Sequence, residues 1–244
     1  MSAMENREHS AGTVPQIPEG IPKDALWSAL AGEPTTGVGI VSIEGQVLYI
    51  NEQGAKIFHG PNAKASDYIG KFWKDLHEPA WYEQRFEVLR QVAATGKPVM
   101  MRTIWRGCQQ FSWVQPIEGD AEEQTDAEWA PAAVPSRFLI TTRRVAGDDP
   151  MEELAEGKAE IIESDVSDLG PLDVLSAREL EVLALIGQGL SLKEIARTLY
   201  RSVKTIDNHR QSIGKKLHVT DRVVLAEIAK RAGLTMADAE RMRT

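Results

Sequence analysis

The stretch "EIARTLYRSVKTIDNHRQSIGKKL", Glu194 to Leu217, contains two segments with helical apolar spacing, separated by two residues. On a helical wheel with about 100° per residue, the apolar side chains of the second segment fall on one side, near the aliphatic stem of Arg210. They are Val203, Ile206, Ile213 and Leu217. The opposite side is polar and basic, and carries Lys204, Asn208, Gln211, Ser212 and Lys215. The pattern predicts two helices, the second with one buried and one exposed face.

The residues around this stretch predict two more helices. Ser176 with Glu179, and Ser191 with Glu194, have the spacing of a capping box, in which hydroxyl and carboxylate satisfy free amides of the first turn. Ser202 is the expected N-cap of the third helix, and Asp221 opens a fourth. The buried positions expected on the flanking helices are Leu180, Leu183, Ile195, Ala196, Leu199, Leu225, Ile228, Ala229 and Ala232.

The exposed face of the third helix suits DNA. Side-chain amides can read base edges in the major groove, and lysines neutralise phosphate. By composition alone, an ordinary solvated helix face is the more common interpretation. Two consecutive helices, the second carrying such a face, favour a helix-turn-helix instead.

The segment from Leu175 to Leu234 resembles the LuxR/GerE-type helix-turn-helix domain over its whole length, including "ELEVLALIGQGLS", "KEIA", "KTIDNHR" and "KKLHV". The resemblance implies an all-α four-helix DNA-binding module of a bacterial transcription regulator. Its third helix would lie in the major groove and its fourth would form a homodimer contact. Carried onto this chain, it places these residues near DNA: Lys204, Thr205, Asn208, His209, Gln211, Ser212 and Lys215.

Asp207 departs from the family, which often has a basic residue at that position. A carboxylate near phosphates is repulsive unless it pairs with a neighbour such as Arg210 or accepts from a cytosine amino group. The wheel places Asp207 on the flank of the exposed face, which favours pairing with Arg210.

The amino-terminal half has a different pattern. "GVGIVSI" and "QVLYIN" read as a hairpin with a turn at Glu44-Gly45, and residues 52 to 96 read as helices, the last stopping at Gly96. Three strands are expected at Val99 to Arg106, Gln110 to Ile117 and Arg137 to Val145. The short connections require an antiparallel sheet, so this half is predicted to be α+β.

This order of elements resembles a PAS sensor domain between about Gly37 and Val145. The resulting organisation is a disordered tail at 1–22, a PAS-like sensor at 23–145, an acidic linker at 146–172 with a helical piece from Met151 to Ile162, and the helix-turn-helix domain at 173–244. The loop from Glu118 to Ser136 is either functional or a mobile insertion, and the second interpretation is favoured. The resemblance implies a small-molecule ligand or protein partner that acts on the DNA module.

The sequence does not identify the cofactor or signal. Cys108 lies beside a strand turn, unlike the cysteine of photoactive flavin PAS domains. His59 and His77 could ligate haem but lack a specific motif, and isolated histidines are more commonly surface or core residues. Five side chains on the third and fourth predicted strands could line a cavity, although core packing is the simpler interpretation. They are Met101, Thr103, Trp105, Phe111 and Trp113.

The uneven charge suits an anion-binding module joined to an acidic one, although a surplus of surface charge more often serves only solubility. Residues 176 to 244 hold 13 Lys+Arg against 8 Asp+Glu, while the whole chain has a net charge of −8. With one cysteine, no apolar run of membrane-spanning length and no signal peptide, a cytoplasmic protein without membrane contact is expected.

No nucleophile elbow, P-loop or HExxH motif is present, so neither an enzyme nor a metal site is predicted. A bacterial transcription regulator is the favoured function, with RNA polymerase a further candidate partner. The alternatives are a response-regulator-like protein and a scaffold controlled by a protein partner, with weak or no direct DNA binding. "GVGIVSIEG" lacks the acidic pair that a receiver domain needs after its first strand.

Overall fold

The computed structural model describes residues 20–117, 136–147, 153 and 155–243. Residues 34–244 make up one compact unit, and the residues before it make up another. In the shorter unit, helix α1 spans Lys23–Ala31 and ends at Gly32. Most of the predicted tail at 1–22 and nearly all of the loop at 118–136 lie outside the described residues.

The N-terminal part of the larger unit is an antiparallel sheet with inserted helices. Strands β1 (Thr36–Ser42) and β2 (Val47–Ile50) precede helices α2 (Glu52–His59), α3 (Trp73–Leu76) and α4 (Pro79–Thr95). Strands β3 (Val99–Trp105), β4 (Cys108–Ile117) and β5 (Arg137–Arg144) follow. The predicted strands, the hairpin turn and the glycine stop after α4 are therefore confirmed, as is the α+β, PAS-like class.

Two local features explain why these elements form. Asn51 is buried between β2 and α2, where its Oδ1 accepts from Gly54 N at 2.7 Å and from Val38 N at 2.9 Å. One side chain thereby caps a helix and ties it to β1. Gly96 ends α4 in the left-handed conformation that favours glycine.

A sixth strand overturns the interpretation of residues 146–172 as a solvated linker. The strand order is β2-β1-β5-β4-β3-β6, and β6 (Glu160–Glu163) pairs in parallel with β3. Strand β7 (Val166–Ser167) pairs in parallel with β8 (Met242–Arg243). The predicted helical piece from Met151 to Ile162 is therefore wrong at Glu160–Ile162, because backbone pairing with β3 overrides the local helical pattern. The domain boundaries stay predictions.

Four helices form the C-terminal part: α5 (Ala177–Gly187), α6 (Leu192–Thr198), α7 (Val203–Leu217) and α8 (Arg222–Ala232). Both predicted capping boxes and the caps at Ser202 and Asp221 are present. Leu180, Leu183, Ile195 and Leu225 are fully buried in the core between these helices. Ile104 of β3 belongs to the same buried cluster, so the sheet contributes to the helical core.

Candidate nucleic-acid interface

Helix α7 is anchored to the core by two isoleucines. Ile206 and Ile213 are fully buried, and the helix ends at His218 in the left-handed conformation. Leu217 is only half-buried, and Val203 is 44% exposed. The prediction that Val203 is buried is wrong: it lies in the first turn of α7 and lines an open concavity beside α6.

The connection between α6 and α7 is longer than predicted. Four residues, 199 to 202, separate the two helices, because Leu199 is the C-cap of α6 and Ser202 the N-cap of α7. Tyr200 adopts a positive φ of 52° at this corner and is 89% exposed. The exposed Tyr200 ring, in the connection between the two helices, is therefore available to a partner.

The groups expected to face DNA lie on the surface of α7. Lys204, Asn208, Gln211 and Lys215 are exposed, whereas Thr205 and His209 are half-buried. Within the part of the chain that the structure describes, Lys204, Asn208 and Lys215 make no side-chain hydrogen bond or ion pair. These three side chains are therefore available to a ligand.

Asp207 forms a network with its neighbours. Its Oδ1 accepts from Arg210 Nε at 3.1 Å and from Arg210 Nη2 at 2.9 Å, and its Oδ2 accepts from Gln211 Nε2 at 2.8 Å. The hydrogen bonds from Arg210 lower the pKa of Asp207. The predicted pairing with Arg210 is confirmed. The additional bond to Gln211 orients that amide, leaving its Oε1 and its second N–H as acceptor and donor.

Ser212 does not join the outward face. Its hydroxyl donates to Glu179 Oε1 at 2.7 Å, and Lys216 Nζ lies 2.6 Å from Glu179 Oε2. Burial alone would raise the pKa of Glu179, but hydrogen bonds from Lys216, Ser176 and Ser212 lower it to about 2. The prediction that Ser212 points away from the core is corrected by this bond, which ties α7 to the cap of α5.

A basic surface that sequence reasoning missed lies beside the start of α7. Lys193, Arg197 and Arg201 are exposed and line one broad concavity with Tyr200. In helix-turn-helix proteins the first helix crosses the DNA backbone while the second enters the groove. The sequence signal for this surface is the pair of basic residues on α6, Lys193 and Arg197, four positions apart.

The model of the luxR family of bacterial regulatory proteins, GerE, matches residues 173–229. The carboxy-terminal domain belongs to the luxR family. Its relatives include the oxygen regulatory protein NreC of Staphylococcus haemolyticus, 45% identical over 65 residues. The putative positive transcription regulator BvgA of Bordetella pertussis is 43% identical over 68 residues.

These relatives match only about a quarter of this chain and less than a third of their own length. The matched region covers 27% of this chain and 30% of NreC, and 28% of this chain and 32% of BvgA. Among solved structures, the complex of Vibrio cholerae VqmA with ligand and DNA is similar over 92% of this chain and 94% of that one. Its sequence identity is 17% and its TM-score is 0.45, too low to place any residue by superposition.

A second concave site lies between the N-terminal sheet and the helices that pack on it. Its lining includes Phe58, Trp73, Trp81 and Met101, together with both candidate histidines, His59 and His77. His59 stacks on Tyr68 at 3.7 Å between ring centroids, and His77 stacks on Trp81 at 3.8 Å. Burial is the main cause that lowers the pKa of His59 to about 4 and of His77 to about 3.

The other predicted cavity residues fall in different places. Phe111 packs with Met100 and Ala155 in a separate buried cluster, which supports the core-packing interpretation. Cys108 is a free, half-buried thiol at the start of β4. No group of three or more His, Cys, Asp or Glu side chains arranged to hold a metal ion occurs among the residues whose placement is described. Over the same residues, no helix is both long and apolar enough to span a bilayer.

Proposed function

We propose that this protein is a bacterial transcription regulator that binds double-stranded DNA through α7. The observation that carries the proposal is the exposed face of α7 in a luxR-type domain, where Lys204, Asn208 and Lys215 have no partner among the described residues. Thr205 and His209 flank this face. Such groups supply both of the contacts that DNA recognition needs, phosphate neutralisation and hydrogen bonds to base edges.

Recognition of base edges and contact with phosphates are assigned to different side chains. Asn208 and Gln211 carry amides that can pair bidentately with adenine, and Asp207 holds Gln211 in a defined orientation. Lys204 and Lys215, with Lys193, Arg197 and Arg201 on the neighbouring surface, neutralise phosphates. Asp207 is compatible with this surface because Arg210 balances its charge.

The test compares single variants of the full chain on DNA sites selected by the wild-type protein. Asn208→Ala should cost about 1 to 3 kcal/mol at one base pair and relax the preference there. Lys215→Ala should weaken binding to all sequences and lower the salt slope by about one unit. Lys97→Ala, which removes an exposed charge from the sensor, is the matched control. If wild-type protein selects no DNA, the scaffold alternative is favoured.

Regulation is assigned to a direct contact between the sheet and the luxR-type domain. Arg102 on β3 is 3% exposed; its Nε donates to Gln109 Oε1 at 2.8 Å and its guanidinium donates to the carbonyl of Gly233, just after α8. Gly147 N donates to Lys230 O of α8 at 2.7 Å. A small molecule or protein that binds the sensor shifts DNA binding only if it favours one arrangement of these contacts.

We also propose a homodimer through α8, the helix that the resemblance implies for this contact, formed by its exposed side chains. Leu225, Ala229 and Ala232 of α8 are buried in the domain's own core, so this apolar stripe cannot form the dimer contact. Val223 and Val224 are 64% and 39% exposed and remain for that role. Light scattering of the Val223→Glu variant tests it: a dimer that persists unchanged removes this surface. Contact with RNA polymerase stays a prediction.

A further inference from the structure

The cavity in the sensor contains a buried cation, Arg85, for which the described part of the chain provides no counter-ion. Arg85 of α4 lines the cavity and is 9% exposed. Its Nη1 donates to Trp81 O at 3.1 Å, its Nη2 lies 3.5 Å from Thr103 Oγ1, and its guanidinium carbon is 3.9 Å from the centre of the Trp81 ring. Across the described residues, no carboxylate pairs with it.

This arrangement leaves strong donors without acceptors. A guanidinium has five N–H groups, and only two contacts with oxygen acceptors are present here. Trp81 lines the same cavity, and among the described residues its buried Nε1 has no hydrogen-bond acceptor. A buried cation without a carboxylate partner is unfavourable, and burial lowers the pKa of Arg85 to about 9. Two side chains that line one cavity therefore offer N–H groups to an electron-rich acceptor.

The remaining lining defines the rest of a complementary ligand. The neighbours of Arg85 in the cavity lining include Phe58, Trp73, Leu76 and Val88, which offer aromatic and aliphatic surface. The histidines carry no positive charge near neutral pH, because burial lowers the pKa of both. Arg85 is therefore the only cation that the described part of this lining offers to a ligand.

We propose that the sensor cavity binds a small organic carboxylate with an apolar body, its carboxylate paired with Arg85 and its acceptor oxygens within reach of Trp81 Nε1. Such a ligand suits the site because its carboxylate matches the planar fork of the Arg85 guanidinium. Its apolar body replaces water against the aromatic lining of the cavity. This inference rests on the proposed function only in treating the cavity as the sensor site.

The experiment measures binding of benzoate, phenylacetate and butyrate to the full chain by calorimetry, each beside its neutral amide. At least one acid should bind about tenfold or more tightly than its amide, because only the acid forms the charged pair. Arg85→Met should abolish this difference and Arg85→Lys should retain part of it. Arg90→Met, on the exposed side of the same helix, should leave it unchanged.

Arg85→Met also has an expected effect without ligand. Replacing a buried, uncompensated cation with an apolar side chain of similar volume should raise the thermal midpoint. Amides that bind as tightly as the acids, no binding by any acid, or equal binding by Arg85→Met would each overturn the proposal. Selection of DNA sites by ligand-free protein, run in parallel, separates such a failure from failure of the proposed function.

Discussion

Replacing Arg102 with methionine should loosen the contact between the sheet and the luxR-type domain. Arg102 is almost fully buried, and it links Gln109 and Glu163 with the carbonyl of Gly233 and, at 3.6 Å, with the carboxylate of Asp238. Methionine fills similar space but cannot donate any of these hydrogen bonds. The variant therefore separates polar docking from packing.

The magnitude depends on which acceptors stay buried after the change. Glu163 has a side chain 47% exposed and regains water, so it contributes little. Asp238 is fully buried but keeps Arg241 Nε at 3.0 Å. The Gly233 carbonyl and Gln109 Oε1 lose their donor, at about 1 to 3 kcal/mol each. The docked arrangement should weaken by about 2 to 6 kcal/mol, which is roughly 30-fold to 20,000-fold in its equilibrium.

Hydrogen exchange followed by mass spectrometry measures this change locally. Exchange should accelerate most in residues 160–167 and 233–243, and less in α5 and α7, because the core around these helices consists mainly of helical side chains. Arg90→Met, an exposed arginine exchanged in the same way, is the control. Unchanged exchange at 233–243, or equal loss of protection in α5 and α7, would refute this account of docking.

Two further predictions use other parts of the structure. Gly233→Ala should also undock the luxR-type domain, since φ there is 57° and an added Cβ would lie 2.8 Å from Gln109 Cβ and closer to its amide oxygen. Gly189→Ala, at φ 84° with open space around it, shares the backbone strain without the overlap, so equal exchange at 233–243 in both would exclude a steric effect. Separately, the free energy of unfolding should fall as pH drops from 6.5 towards 4, because His59 and His77 stay neutral when folded and take up protons when unfolded. His77→Gln should flatten this slope in urea unfolding; a slope identical to that of the wild type would contradict the assignment.

Part of the candidate site was accessible from the sequence because its determinants are local. The outward position of Lys204, Asn208 and Lys215 follows from helical spacing once Ile206 and Ile213 are buried. The pairing of Asp207 with Arg210 spans three residues, within one turn of helix. Ser212 departs from this logic because Glu179, its partner, lies 33 residues away.

The amino-acid sequence alone is enough to predict the elements that are stabilised within a few residues. Capping boxes, the hairpin glycine and the stop at Gly96 are hydrogen bonds or backbone conformations confined to single turns, so their residues are sufficient to predict them. The helical spacing of α5 to α8 likewise determined which faces enter the core, apart from Val203 at the start of α7.

Contacts between groups that are distant along the chain depend on packing in three dimensions. Strand β6 is four residues long with the sequence "EIIE", and it becomes a strand because β3 offers a free edge. The partners Arg102 and Glu163 are 61 residues apart, and Arg102 and Gly233 are 131 residues apart. Nothing local in the sequence signals that Arg85 is buried, with no counter-ion among the described residues. Such contacts depend on how helices and sheet pack together, because desolvation and pairing of a charge are set by neighbours in space and not along the chain.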